Sequence, residues 1–187
     1  MNLLKKMTII FLMIVGTNVT AQSISLQIIQ KNGSDSVVFD ASYLIEQSIM
    51  DYFFEHAYIV SNSPVIIQKD KQEIKVELQK AYDSAQEGYL DYIIEATVYY
   101  NLEDSNNPEE ALMENIEKIE WNVLLLSDKS VISKGSEVPK KYRNDDDSLV
   151  FFANEIAKKI VNLPLRFSLL GAFGWILTFF AELIVVF

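Results

Sequence analysis

Any chemistry in this chain has to come from carboxylates, tyrosines and a single histidine. His56 is the only histidine and cysteine is absent. A histidine-based triad, a multi-histidine metal site, a thiol nucleophile and a cysteine-based zinc site are therefore excluded within one chain. His56 stands at the end of a helical pattern, just before an apolar run, where a cap or helix-dipole contact is its expected role. Carboxylates are abundant, but no spacing singles out two of them as a pair for glycoside hydrolysis. Asn144 to Asp147 lacks the alternating ligands, glycine and distant glutamate of a calcium-binding EF-hand, and reads as a helix start. The acids between Glu103 and Glu110 read as a solvated loop. Gly88, Gly135, Gly171 and Gly174 lie in unrelated contexts, so no phosphate-cradling loop is present. Tyr89, Tyr92, Tyr99 and Tyr100 read as strand aromatics rather than a ligand platform. The expected set of catalytic, cofactor-binding and metal-binding residues is empty.

The two ends say more. Met1–Ala21 carries Lys5 and Lys6, an uncharged apolar run from Met7 to Gly16, and small residues Val19 and Ala21 before a cut. That is the build of a secretory signal peptide over residues 1–21. Residues 163–187 form an apolar C-terminal segment. In it, Phe167–Phe187 is a run of 21 residues whose only charge is Glu182, long enough as a helix to span the roughly 30 Å apolar layer of a bilayer. A membrane helix is the expected reading. Lys158, Lys159 and Arg166 on its entry side oppose that orientation by the positive-inside rule, so a buried C-terminal helix or an altered reading frame stands as the alternative.

Between the ends, residues 22–162 are the size of one ordinary domain with its own core. The net charge of −10 denies the protein the broad basic footprint that nucleic acid or anionic lipid would need. An exported domain with no disulfide points to a bacterial envelope protein whose core is sufficient without cross-links. In that setting Asn32-Gly33-Ser34 is turn chemistry rather than a glycosylation site.

The hydrophobic periods supply the framework. Ser23–Gln30 alternates as a strand. Asp40 is placed as the N-cap of a helix burying Ile45, Ile49, Tyr52, Phe53 and Ala57, with Phe39 and Leu44 as a staple. Tyr58–Gln68 is a strand broken at Pro64. Asp70 and Glu73 resemble a capping box for a helix carrying Ile74, Leu78, Ala81 or Tyr82, and Ala85, ended by Gly88. Tyr89–Leu102 is the clearest strand, with Tyr92, Ile94, Ala96, Val98 and Tyr100 on one face. The hydrophilic stretch 101–115 reads as a loop with a short helix begun by Pro108. Ile116–Leu126 and Val131–Val138 form a hairpin. Asp145–Ser148 opens a helix carrying Leu149, Phe152, Ala153, Ile156 and Ile160, and Pro164 stops it. The order β-α-β-α-β-β-β-α predicts an α/β (α+β) fold, a single mixed sheet with covering helices, followed by the apolar segment.

Several of these elements carry a family resemblance. Asp40–His56 resembles the helix of the fold's first half, and Tyr58–Pro64 the strand after it. Gly88 to Ala96 (Gly-Tyr-Leu-Asp-Tyr-Ile-Ile-Glu-Ala) is similar to a strand entry usually seen as Gly-Ala-Asp-Tyr followed by apolar residues. Trp121 to Gly135 is similar to a hairpin with an Asp-led turn. Together, over about Ser23–Asn162, they resemble the periplasmic α/β domains of the penicillin-binding-protein activator lipoproteins, the curli-secretion lipoprotein and the N-terminal domain of TolB. The chain departs at Ala96 and Ser130, where the group prefers glycine, and it has no lipobox cysteine. The resemblance implies a non-enzymatic adaptor in the periplasm that docks on another envelope protein. Two readings stand beside it: a membrane-tethered structural or assembly component using Phe167–Phe187, and an envelope hydrolase. No cofactor and no nucleic-acid partner are expected.

Overall fold

The structure, a computed structural model, describes residues 21–34, 36–68, 71–102, 105, 107, 110, 112–140 and 146–161, with the backbone alone for 71–73 and 146. The signal-like segment up to Thr20, the Asp70/Glu73 capping box, Pro108, Asp145 and everything from Asn162 onward lie outside the described residues or side chains.

The strands are β1 (Ser23–Lys31), β2 (Ile59–Asn62), β3 (Ile66–Ile67), β4 (Tyr92–Tyr100), β5 (Ile116–Leu125) and β6 (Ser130–Glu137). The helices are α1 (Asp40–Glu55), α2 (Lys71–Glu87) and α3 (Asp146–Val161), with one 3₁₀ turn at Met113–Asn115. They build one mixed sheet in the order β2-β1-β4-β5-β6, with β3 also paired to β1. β1 lies parallel to β2, β3 and β4, and β4, β5 and β6 run antiparallel. The expected fold class and element order hold, and the strand broken at Pro64 becomes the short pair β2 and β3.

Connection handedness decides which face each helix covers. From β1 the chain steps one way to β2 through α1, then back across β1 to β4 through α2. Parallel crossovers are right-handed, so the reversal puts α1 and α2 on opposite faces. α3 follows the β5–β6 hairpin and packs beside α1. Alternation does the rest. Ile24, Leu26 and Ile28 of β1, Ile94, Ala96 and Val98 of β4, and Ile119, Trp121 and Val123 of β5 share the face beneath Ile45, Ile49 and Phe53 of α1 and Leu149, Phe152 and Ile156 of α3. Each such side chain contributes about 1.5–3 kcal/mol on burial, and this layer is the main core. The second face has a smaller cluster, in which Ala81 and Ala85 let α2 approach Ile93, Leu124 and Leu126.

Register is fixed by polar clasps as well as pattern. At the start of β1 and β4 the Ser23 N–H and hydroxyl both donate to an Asp91 carboxylate oxygen at 2.8 Å, and the Asp91 N–H returns a bond to the Ser23 hydroxyl at 3.0 Å. A slip by one residue would break all three and turn the core set outward.

Helix ends depart from expectation in three places. Asp40 is the first helical residue rather than the cap; buried Phe39 holds the cap position without a side-chain bond. Ala57 lies past the end of α1, exposed, at φ 64°. In α2 the left-handed residue is Tyr89, at φ 54°, and not Gly88. Both helices close with the same bond pair: Tyr58 N–H to Phe53 O and Ala57 N–H to Phe54 O, then Leu90 N–H to Ala85 O and Tyr89 N–H to Gln86 O. This is the Schellman closure, in which glycine normally takes the left-handed position. Tyr89 is 93% exposed, so it gains little packing in return for its backbone cost. Tyr89→Gly is therefore expected to stabilise the fold by about 0.5–1 kcal/mol, read as a higher denaturant midpoint at unchanged slope.

Candidate functional site

In open α/β sheets, ligands enter the crevice beyond the carboxyl ends of the strands. Here that place, above β1 and at the start of α1, is filled by side chains. Gln30, buried near the end of β1, accepts two hydrogen bonds on its Oε1, from the Phe39 N–H at 2.8 Å and the Ser42 hydroxyl at 3.1 Å. Its Nε2 donates to Val37 O at 2.9 Å. The Ser42 hydroxyl, having donated to Gln30, accepts from the Tyr100 hydroxyl at 2.8 Å. The Phe39 ring meets the Tyr100 ring edge-on at 5.0 Å. Burial pushes the Tyr100 phenol well above its ordinary range, which keeps it neutral and a donor. Residues 36–39 are thus clamped down as a plug.

Asn107 and Glu110 are held in a similar way. Asn115 is fully buried, and its Nδ2 donates to Asn107 O and Glu110 O, both at 2.9 Å. Among the described residues no group of three or more histidines, aspartates or glutamates is gathered as a metal site.

The second sheet face is different. α2 crosses it from the β3 edge to the far end of β5, where Gln86 Nε2 reaches Leu126 O. Tyr82 on this helix donates to Glu95, whose other oxygen takes a 3.4 Å bond from Asn122; burial, then the Glu95 carboxylate, pushes the Tyr82 phenol up. Beyond the helix, β4, β5 and β6 show half-exposed Thr97, Tyr99, Glu120 and Asn122 and exposed Lys134 and Ser136. Register brings Lys31, Tyr99 and Lys118 into one rung across three strands. The two ammonium groups stand 4.6 Å and 4.4 Å from the Tyr99 ring centroid. Glu120 accepts from the Tyr99 hydroxyl at 2.8 Å and from Lys118 Nζ at 2.7 Å. Those bonds hold the Glu120 carboxyl below its usual range and raise Lys118, while burial and Glu120 together raise the Tyr99 phenol.

His56 caps α1: its Nδ1 lies 2.7 Å from Tyr52 O and its ring stacks on Tyr52 at 4.1 Å. Tyr99 and Tyr100, adjacent in sequence, fall on opposite faces, one on the open rung and the other in the plug. Tyr92 is half-buried against the main core. Asp146 and Asp147 begin α3, and Glu110 is exposed on its loop. Sequence reasoning did not reach the Lys31–Tyr99–Lys118 rung. Its members are far apart along the chain, and only the alternation of β5, which puts Lys118 and Glu120 on one face, hinted at it.

Among the described residues three buried polar atoms lack a hydrogen-bond partner: Glu46 Oε1, Asn115 Oδ1 and the Trp121 indole N–H. Glu46, 7% exposed on α1, has a carboxylate oxygen without a partner. Burial pushes its pKa up, against the opposing effect of a bond from Asn62. A raised native pKa means that the native state binds this proton more tightly than the unfolded chain does. Glu46 therefore costs nothing at low pH, and stability falls as pH rises from the unfolded value near 4.5 through the native one. Glu46→Gln is expected to raise the melting temperature at pH 7 and to flatten that decline in a pH series of thermal melts.

A six-stranded mixed sheet, two helices on its core face and one on the other, with a plugged strand-end crevice, defines an α/β domain. The chain belongs to the family whose model, described as "Uncharacterised protein", matches residues 23–163. No curated protein matches it. Among solved structures it is similar to the lipoprotein GNA1162 from Neisseria meningitidis, at 13% identity and TM-score 0.47, covering 75% of this chain and 99% of that one. It is similar to the PelC dodecamer from Paraburkholderia phytofirmans at 11% identity and TM-score 0.45, covering 75% and 86%. The LpoB C-terminal domain from Salmonella enterica matches at 13% identity and TM-score 0.39, covering 72% and 94%.

Proposed function

We propose that this protein is an exported, non-enzymatic adaptor of the bacterial cell envelope that works by docking on another envelope protein. The observation that carries the reading is the plug: Gln30, Phe39, Ser42 and Tyr100 occupy the crevice where an α/β sheet would receive a small molecule. The polar groups buried there serve the fold, and a flat, strand-lined face is left open on the other side of the sheet. The secretory build of Met1–Ala21 supports the address, and the strand-entry and hairpin motifs support the class.

Photo-crosslinking in intact cells followed by co-purification tests it. An envelope protein captured reproducibly is the expected result, and capture of cytosolic proteins alone rejects it. N-terminal sequencing of the exported chain is expected to begin at Gln22; a chain still starting at Met1 would recast the first segment as an anchor. Phe167–Phe187 supports membrane tethering of the same adaptor. The full chain is expected to stay in the membrane pellet through alkaline carbonate, and its release would remove the tether from the proposal.

A further inference from the structure

We infer that the uncovered part of the second sheet face, centred on the Lys31–Tyr99–Lys118 rung, is the docking surface, and that it takes an extended acidic segment of the partner protein. The inference rests on the adaptor reading for the partner being a protein, and it adds which surface binds and what chemistry it binds. The surface is open because α2 crosses the sheet obliquely and leaves bare the C-terminal ends of β4 and β6 and the N-terminal end of β5.

Its charge runs against the rest of the molecule. The chain carries 26 acids and 16 lysines and arginines, yet this quadrant presents Lys31, Lys118 and Lys134. Of the carboxylates here, Glu95 is engaged by Tyr82 and Asn122, Glu120 is hydrogen-bonded to Tyr99 and ion-paired with Lys118, and exposed Glu117 stands near enough to act on both Tyr99 and Lys118. Lys31 and Lys134 make no ion pair among the described residues. An acidic ligand therefore meets the ammonium groups of Lys31 and Lys134 unpaired here, and can draw Lys118 from Glu120, whereas the acidic excess of the chain repels it elsewhere.

The rung is also pre-ordered. Both ammonium groups rest on Tyr99, so they are held no more than about 9 Å apart and lose little freedom on binding. Alternate side chains of an extended segment point the same way at a spacing of about 7 Å. Two carboxylates with one residue between them match that pair. Three lysines are too few for the broad footprint that a bilayer surface or nucleic acid needs.

The test measures binding of a fluorescein-labelled peptide of alternating glutamate and threonine, ten residues long, to the full chain by anisotropy. Saturable binding that weakens several-fold between 50 mM and 300 mM salt is expected. Lys31→Gln and Lys118→Gln should each weaken it about fivefold and together more than tenfold. Lys75→Gln with Lys80→Gln, on the exposed side of α2, should change it less than twofold. Thermal melts of all variants should superimpose on the parent, since these are surface positions. No binding, equal loss in the α2 variant, or binding to phosphatidylglycerol vesicles in preference to the peptide would overturn the inference. In the cellular crosslinking experiment, a partner still captured by the Lys31→Gln/Lys118→Gln chain would remove this surface and leave the adaptor reading standing. Capture lost with intact folding supports both.

Discussion

Trp121→Ala is expected to lower stability by about 3–5 kcal/mol, the cost of emptying a large aromatic from a packed core. Trp121 is 5% exposed and lies in the main core with Ile94, Val98 and Phe152. Its partner across the hairpin is Gly135, and the two are matched. A Cβ built on Gly135 would stand 2.2 Å from the indole Cζ2, so the ring fills the space that any other residue's side chain would need. Removing the indole leaves a cavity beside the backbone of the edge strand β6. Trp121→Phe should cost much less, because it keeps a ring there and removes a buried indole N–H that has no partner among the described residues. The measurement is the denaturant midpoint of each variant at constant slope. Equal losses for alanine and phenylalanine would show that the ring's packing on Gly135 is not what holds the hairpin.

That core was legible before any coordinates, and the reason is periodicity. Tyr92, Ile94, Ala96, Val98 and Tyr100 alternate with more polar neighbours, and Leu149, Phe152, Ala153, Ile156 and Ile160 recur at helical spacing; such patterns are local and survive without tertiary knowledge. The helix ends were less legible. Asp40 has the chemistry of a cap and Gly88 that of a left-handed terminator, yet Phe39 and Tyr89 hold those places. Tertiary contacts moved each boundary by one residue: Phe39 is pulled in by Tyr100 and by its N–H bond to Gln30, and Leu90 by its place beside Ala81 and Ala85.

The plug was not legible, and the open rung was hinted at only by the shared face of Lys118 and Glu120 on β5. Lys31, Tyr99 and Lys118 come from three strands, and nothing in their neighbours along the chain announces a shared register. Gln30 read as the polar end of a strand, and its burial follows only from α1 returning over the sheet. Sequence pattern finds what packs within an element. What meets between elements depends on strand order, which alternation does not encode.

Gln30→Leu is the second large loss expected, about 2–4 kcal/mol, although it replaces a polar side chain in the interior by an apolar one of similar size. The sign follows from what would be left behind. Gln30 accepts from the Phe39 N–H and the Ser42 hydroxyl, and it donates to Val37 O. Leucine answers none of these, and each buried polar group left unmade costs about 1–3 kcal/mol, less wherever water can reach it. The loss should be concentrated where the bonds were. Amide exchange in the variant should speed up across residues 32–39 and at the start of α1, while Ile94, Val98 and Ile119 keep their protection relative to the lowered global stability. The Tyr100 hydroxyl would still meet Ser42, so Gln30→Leu with Tyr100→Phe should lose less than the sum of the two single changes, as members of one network do. A neutral Gln30→Leu would mean that the loop is held by the Phe39–Tyr100 contact alone. The crevice beyond β1 would then be only loosely closed, and the case for a non-catalytic protein would lose the observation that carries it.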